Sequence, residues 1–228
     1  DWHPADHTSF VSQGGPWLRG FCRTNLFKRL ESCGHAFVLS VKRHILRNCV
    51  LLHALEHDQP LPIGPQGAEL FDTTHEDADA ESLAYDDEGL PDADADQDGT
   101  EGLAIEDGLP VHPDPTAYRA CAARVYRAYQ SRYHNRFRWI RAGLFHEQLT
   151  QDLRRDVRML LRILDAVGAW LPEHDAKLAA LEDLVRRRHS HDKVLVFSQF
   201  ADTVHYLADE LQRRGVDRVM GVTGQSSD

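Results

Sequence analysis

The sequence predicts a mostly α-helical protein: a bundle of long helices, then one parallel strand–helix–strand unit that is incomplete. Three observations carry this reading. Apolar residues recur every three or four positions through residues 118–185. A continuous apolar run, Val194 to Phe197, opens a strand–helix–strand pattern that closes at Thr223-Gly224. A lone parallel pair cannot bury both faces, because parallel sheets need helical cover and further strands. The unit therefore reads as the opening of a larger sheet, and the chain as a piece of a longer protein.

Taken in order, residues 1–58 predict a helical hairpin after an irregular lead-in containing Pro4, Gly14 and Gly15. Pro16 suits a first helical turn, Leu18, Phe21, Leu26 and Leu30 form its apolar stripe, and Gly34 suits a stop or bend. Phe37, Val41, Ile45, Cys49 and Leu52 mark the second helix at near four-residue spacing. Residues 59–114 change character: Pro60, Pro62 and Pro65 break any helix, and an Asp/Glu/Ala/Gly-rich tract runs on to Pro115. That composition buries too little apolar surface to offset chain entropy, so the segment predicts an acidic, disordered insert.

Residues 115–189 return to long helices. Tyr118, Ala122, Val125, Tyr129, Tyr133, Phe137, Ile140 and Leu144 predict one helix, and Leu149 to Val167 a second that Gly168 and Pro172 end. A shorter third carries Leu178, Leu181, Leu184 and Val185 and finishes in Arg186-Arg187-Arg188, where cations suit the dipole. In residues 190–228, Asp202 can cap a helix with core face Val204, Leu207, Ala208 and Leu211; Gly215 ends it, and Val216 to Val222 predict the second strand.

The net charge of −10 is concentrated. Sixteen acidic residues lie between Glu69 and Asp107, and no Lys or Arg occurs between Arg47 and Arg119. The remaining 20 acids face 26 bases, about +6, so the overall acidity does not exclude nucleic acid as a partner. Cys22, Cys33, Cys49 and Cys121 show no zinc spacing and read as reduced, mostly buried thiols. No apolar stretch has the length of a membrane span and no leader pattern opens the chain, which predicts a cytoplasmic protein. Asp94, Asp96, Asp98 and Gly99 match half a calcium loop, but Ile105 stands where a bidentate Glu is required, so no metal site is predicted.

Two stretches resemble a known family. Lys193 to Leu211 (KVLVFSQFADTVHYLADEL), followed by a glycine, a strand pattern and Val222-Thr223-Gly224, resembles the opening of the second RecA-like lobe of Swi/Snf-type ATPases, in helicase superfamily two. Arg23 to Ser32 (RTNLFKRLES), continuing through Phe37, Arg43-His44 and Arg47-Asn48, is similar to the helical region joining the two lobes in bacterial Swi/Snf-like proteins. The resemblance implies an ATP-dependent DNA translocase whose inter-lobe helices and motif IV edge lie here. It implies DNA, RNA or a nucleoprotein as partner, packing against the first RecA-like lobe, and ATP with magnesium for the whole parent.

Ser198, Gln199, Thr223 and Gly224 sit at carboxyl ends of the expected parallel strands, where α/β sheets place ligand loops, and can bond a nucleic-acid backbone. Ser198 can equally cap the next helix, and Phe200 can pack in the core. Arg23, Lys28, Arg29, Arg43 and Arg47 are candidates for inter-lobe or DNA contacts. Arginines at 119, 124, 127, 132, 138 and 141 flank the Tyr/Phe stripe and read either as phosphate contacts or as a solvated helix face. No GxxxxGK[ST] loop, strand-borne Asp-Glu pair or late arginine motif is present, so no catalytic residue, no bound cofactor and no ATP hydrolysis are expected of this segment alone. The rival reading is a helical protein–protein interaction module with an acidic docking tail and no motor role.

Overall fold

The computed structural model describes residues 26–63 and 109–223. Arg23, Gly224, Cys22, the calcium-like pattern and nearly all of the acidic insert lie outside the described residues. The fold is mostly helical. Residues 26–32 form α1, and a single extended residue, Cys33 (φ −157°, ψ 132°), joins it to α2 (Gly34–Glu56). Strand β1 (Leu61–Ile63) follows, then α3 (Pro115–Ser131), β2 (Arg138–Ile140), α4 (Glu147–Val167), α5 (Ala176–Asp183) and α6 (Ala201–Arg213).

Helix α2 is the central element, with α3 and α4 packed along it and α6 against its first half. Its residues Val41, Ile45, Leu46, Cys49, Val50 and Ala54 are buried, because their three- and four-residue spacing makes one broad apolar face. Tyr118, Ala122, Val125, Tyr126 and Tyr129 of α3 and Leu153, Val157, Leu161 and Leu164 of α4 complete this first core. Asp114 starts α3 by accepting from the Thr116 and Ala117 amides, with Pro115 at the first helical position. Gly168 stops α4 at φ +68° and Gly215 stops the α6 region at φ +75°, conformations that cost glycine little.

Two expectations are corrected here. The helix expected through Leu144 ends at Ser131, and β2 pairs antiparallel with β1 in the register Leu61↔Ile140, Pro62↔Trp139, Ile63↔Arg138. Phe137 reaches the core from extended backbone, its ring 4.4 Å from that of Tyr129, while Leu144 is exposed. A turn followed by a strand can place side chains three or four residues apart on one surface, which imitates a helical stripe. The proline-rich start of the expected insert is thereby part of the fold: Leu61 is buried, and the Tyr126 hydroxyl donates to the Pro60 carbonyl at 2.7 Å.

The second correction concerns the C-terminal unit. Residues 193–197 and 216–223 form no strand. Leu195 (70% exposed), Phe197 (90%), Met220 (82%) and Val222 (64%) face solvent. Strand pairing needs a neighbouring ladder, which neither run finds among the described residues. The second run folds back on α6 instead, so close that a Cβ on Gly221 would lie 3.2 Å from Val204 Cγ1 and Ala208 Cβ.

A smaller second core joins Cys33, Ala36, Leu178, Tyr206 and Leu211, with Trp170 and Val219 packed on it. Gly34 is required here for space: a Cβ would run into the Trp170 ring, which is held by its Nε1 donating to the Tyr206 hydroxyl at 3.1 Å. Gly34→Val is therefore expected to cost about 1–3 kcal/mol by overpacking. Urea unfolding checks this, and an unchanged midpoint would show that the indole moves aside freely.

Candidate functional site

Besides the smaller apolar core, a buried charged cluster attaches the C-terminal unit to the helices. Arg29, from α1, donates Nη1 to Asp202 Oδ2 at 2.7 Å. Arg43, from α2, donates Nη1 to the same oxygen at 2.7 Å and Nη2 to Oδ1 at 3.1 Å. Arg29, Arg43 and Asp202 are at most 4% exposed. Asp202 is thus no helix cap, contrary to expectation; the residue preceding α6, Phe200, offers no side-chain cap. With Asp202 drawn inward, the buried residues of α6 are Ala201, Asp202, Thr203, Tyr206, Glu210 and Leu211; of the expected core face Leu211 is buried, while Val204, Leu207 and Ala208 are only half-buried.

Next to this clasp runs a chain of hydroxyls. Ser32 Oγ lies 3.0 Å from Thr203 Oγ1 and 3.4 Å from Ser198 Oγ. Ser198 Oγ accepts from the Phe200 amide at 3.2 Å, so it shapes the entry to α6, which realises the capping alternative in part. Phe200 is buried, as one alternative held, with the Arg29 guanidinium 4.9 Å from its ring centre. These residues border an open groove of about 490 Å³ that also receives Lys28, Lys177 and Gln199. Lys177 reaches across it to the carbonyls of Glu31 and Ser32.

The structure separates the candidate residues into groups. Ser198, Gln199 and Lys28 share the groove. Arg29 and Arg43 are buried on Asp202, where a nucleic-acid phosphate cannot reach them in this arrangement. Arg47 is half-buried beside Tyr129 and His44, and its Nε has no hydrogen-bond partner among the described residues. Thr223 is half-buried on a segment that is not a strand. Arg186, Arg187 and Arg188 pair locally, with Glu182 and Asp183.

Burial sets the electrostatics. It pushes the His44 imidazole down to about 4, helped by Arg47 and Arg29, so the ring adds no charge beside the clasp at neutral pH. Burial likewise raises the Cys33 thiol above its ordinary range. On the groove wall, Asp175 caps α5 through Oδ1 and accepts from the Tyr206 hydroxyl at 3.0 Å, and burial raises the Tyr206 phenol.

Sequence reasoning missed Ser32, Thr203, Asp175 and Lys177, and misassigned Asp202. Asp202 carried one legible signal, an acid at the start of a helix, but its partners lie 159 and 173 residues away. The groove offers hydroxyls, an amide and two ammonium groups, balanced by the carboxylates of Glu31 and Asp175, a polar set able to hydrogen-bond a ligand without a net charge of its own. Among the described residues no cluster of three His, Cys, Asp or Glu is placed to hold a metal, and no helix is long and apolar enough to cross a membrane. No family model, curated protein or solved structure matches the chain.

Proposed function

We propose that the chain is the inter-lobe region and the start of the second RecA-like lobe of an ATP-dependent DNA translocase of Swi/Snf type. The observation that carries the proposal is the state of α6. Two apolar runs flank it at β–α–β spacing, the first largely exposed and the second exposed at Met220 and Val222, and its Val204-Leu207-Ala208 face is only partly covered. A parallel sheet supplied by further chain would cover all three at once. The clasp of Arg29 and Arg43 on Asp202 would then transmit movement of that lobe to the helical bundle. Ser198 and Gln199 would face the nucleic-acid backbone from the groove, with ATP and magnesium held by other parts of the parent.

The test is DNA-stimulated ATP hydrolysis by the protein encoded when the reading frame is extended on both sides. A phosphate loop is expected upstream and an arginine motif downstream. Ser198→Ala/Gln199→Ala is expected to lower DNA stimulation roughly tenfold, as for the loss of one or two good contacts, with basal hydrolysis unchanged. An extended frame without a phosphate loop would sink the proposal.

A further inference from the structure

From Pro115 to His146 the sequence holds seven arginines and no Lys, Asp or Glu. Arg119, Arg124, Arg127, Arg132, Arg138 and Arg141 are all exposed. The ion pairs among the described residues include none of these six. The core explains why they stand outward. Tyr118, Cys121, Ala122, Val125, Tyr126 and Tyr129 occupy one side of α3, and at 100° per residue Arg119, Arg124 and Arg127 fall on the remaining arc. Helix α4 offers the contrast: Asp152, Asp156 and Asp165 are interspersed with its arginines, and Arg154 pairs with Glu56 at 2.9 Å.

We infer that the arginine face of α3 and the β2 turn after it is a docking surface for the phosphate backbone of double-stranded DNA. Among the described residues the face concentrates positive charge that forms no ion pair, in a chain whose net charge is −10, so it is a local source of attraction to a polyanion. Its cations are all guanidiniums, whose planar fork takes two phosphate oxygens at once. Along the axis, Arg119 to Arg124 spans about 7.5 Å and Arg124 to Arg127 about 4.5 Å. Duplex DNA presents a charge for every ~1.7 Å of axis, so several of these cations can meet phosphates together. The surface lies on elements that contribute nothing to the groove at Ser198.

The experiment is fluorescence anisotropy of a short labelled DNA duplex titrated with the whole chain between about 50 and 200 mM salt. Six phosphate contacts give an expected slope of log K against log salt near −5, at about −0.9 per contact. Arg119→Gln/Arg124→Gln/Arg127→Gln should make it shallower by about 3 and lower the affinity at 100 mM salt by about 10²–10³-fold. The corresponding triple lysine variant should keep the slope. Circular dichroism confirms folding, which exposed side chains leave intact. Arg154→Gln on α4, whose guanidinium pairs with Glu56, should leave the slope within one unit. The inference is overturned if the glutamine variant binds like the native chain, if the native chain does not bind the duplex, or if poly-glutamate binds the same three arginines as tightly, which would make this an acidic-protein surface. Each of these outcomes is separate from the ATPase test above, which does not depend on α3.

Discussion

Asp202→Ala is expected to destabilise the attachment of α6 by about 3–5 kcal/mol, the cost of leaving buried charges without their partner. Two guanidiniums, of Arg29 and Arg43, converge on that one carboxylate with almost no solvent access. The loss should be regional. Helix α6 belongs to the smaller core of Cys33, Ala36, Leu178 and Leu211, while α2, α3 and α4 share the larger one. Hydrogen exchange should therefore accelerate through residues 201–213 well before it does in α2 beyond Ile45. Replacing Arg29, Arg43 and Asp202 together by Met, Met and Leu should recover most of the stability, since a packed apolar cluster can equal a buried ion pair. Uniform acceleration across all helices, or a loss under 1 kcal/mol, would show that the clasp does not hold the C-terminal unit in place.

Acidification should weaken the fold through His44. In the unfolded chain the imidazole takes its proton near 6.5, but in the folded chain only near 4, because the site is desolvated and Arg47 and Arg29 repel a second cation. Between those values the unfolded chain holds more protons, so stability rises with pH. Its full value stands above about pH 6.5, and it falls by up to ~3 kcal/mol as the pH drops to 4. His44 is only half-buried, and solvent screening reduces that figure. His44→Gln should flatten this window in urea melts taken from pH 7 to pH 4, and a slope as steep as the native one would assign the acid lability to other groups.

The β1–β2 pair shows how a sequence pattern can satisfy two structures. The stripe from Tyr118 to Tyr129 was legible because six buried side chains obey one period on one helix. Beyond Ser131 the same spacing continued, yet residues 138–140 became a strand because Leu61–Ile63 was there to pair with them. The groove was half legible. Ser198 and Gln199 stood out beside an apolar run, whereas Ser32 and Thr203 join them only because α1 and α6 come together.

The sequence alone determined the helical character of the protein, the apolar faces of α2, α3 and α4, and the glycine stops at 168 and 215. Periodicity, end signals and local charge reside within a few turns of chain, where neighbours are known from spacing. Only the tertiary structure decided that Asp202 is an anchor, that Arg29 and Arg43 are buried, and that residues 61–63 pair with 138–140. Those outcomes depend on which distant surfaces meet. A carboxylate at a helix start is stable in water as a cap and stable in the interior when two guanidiniums surround it, and the choice between them is made by packing.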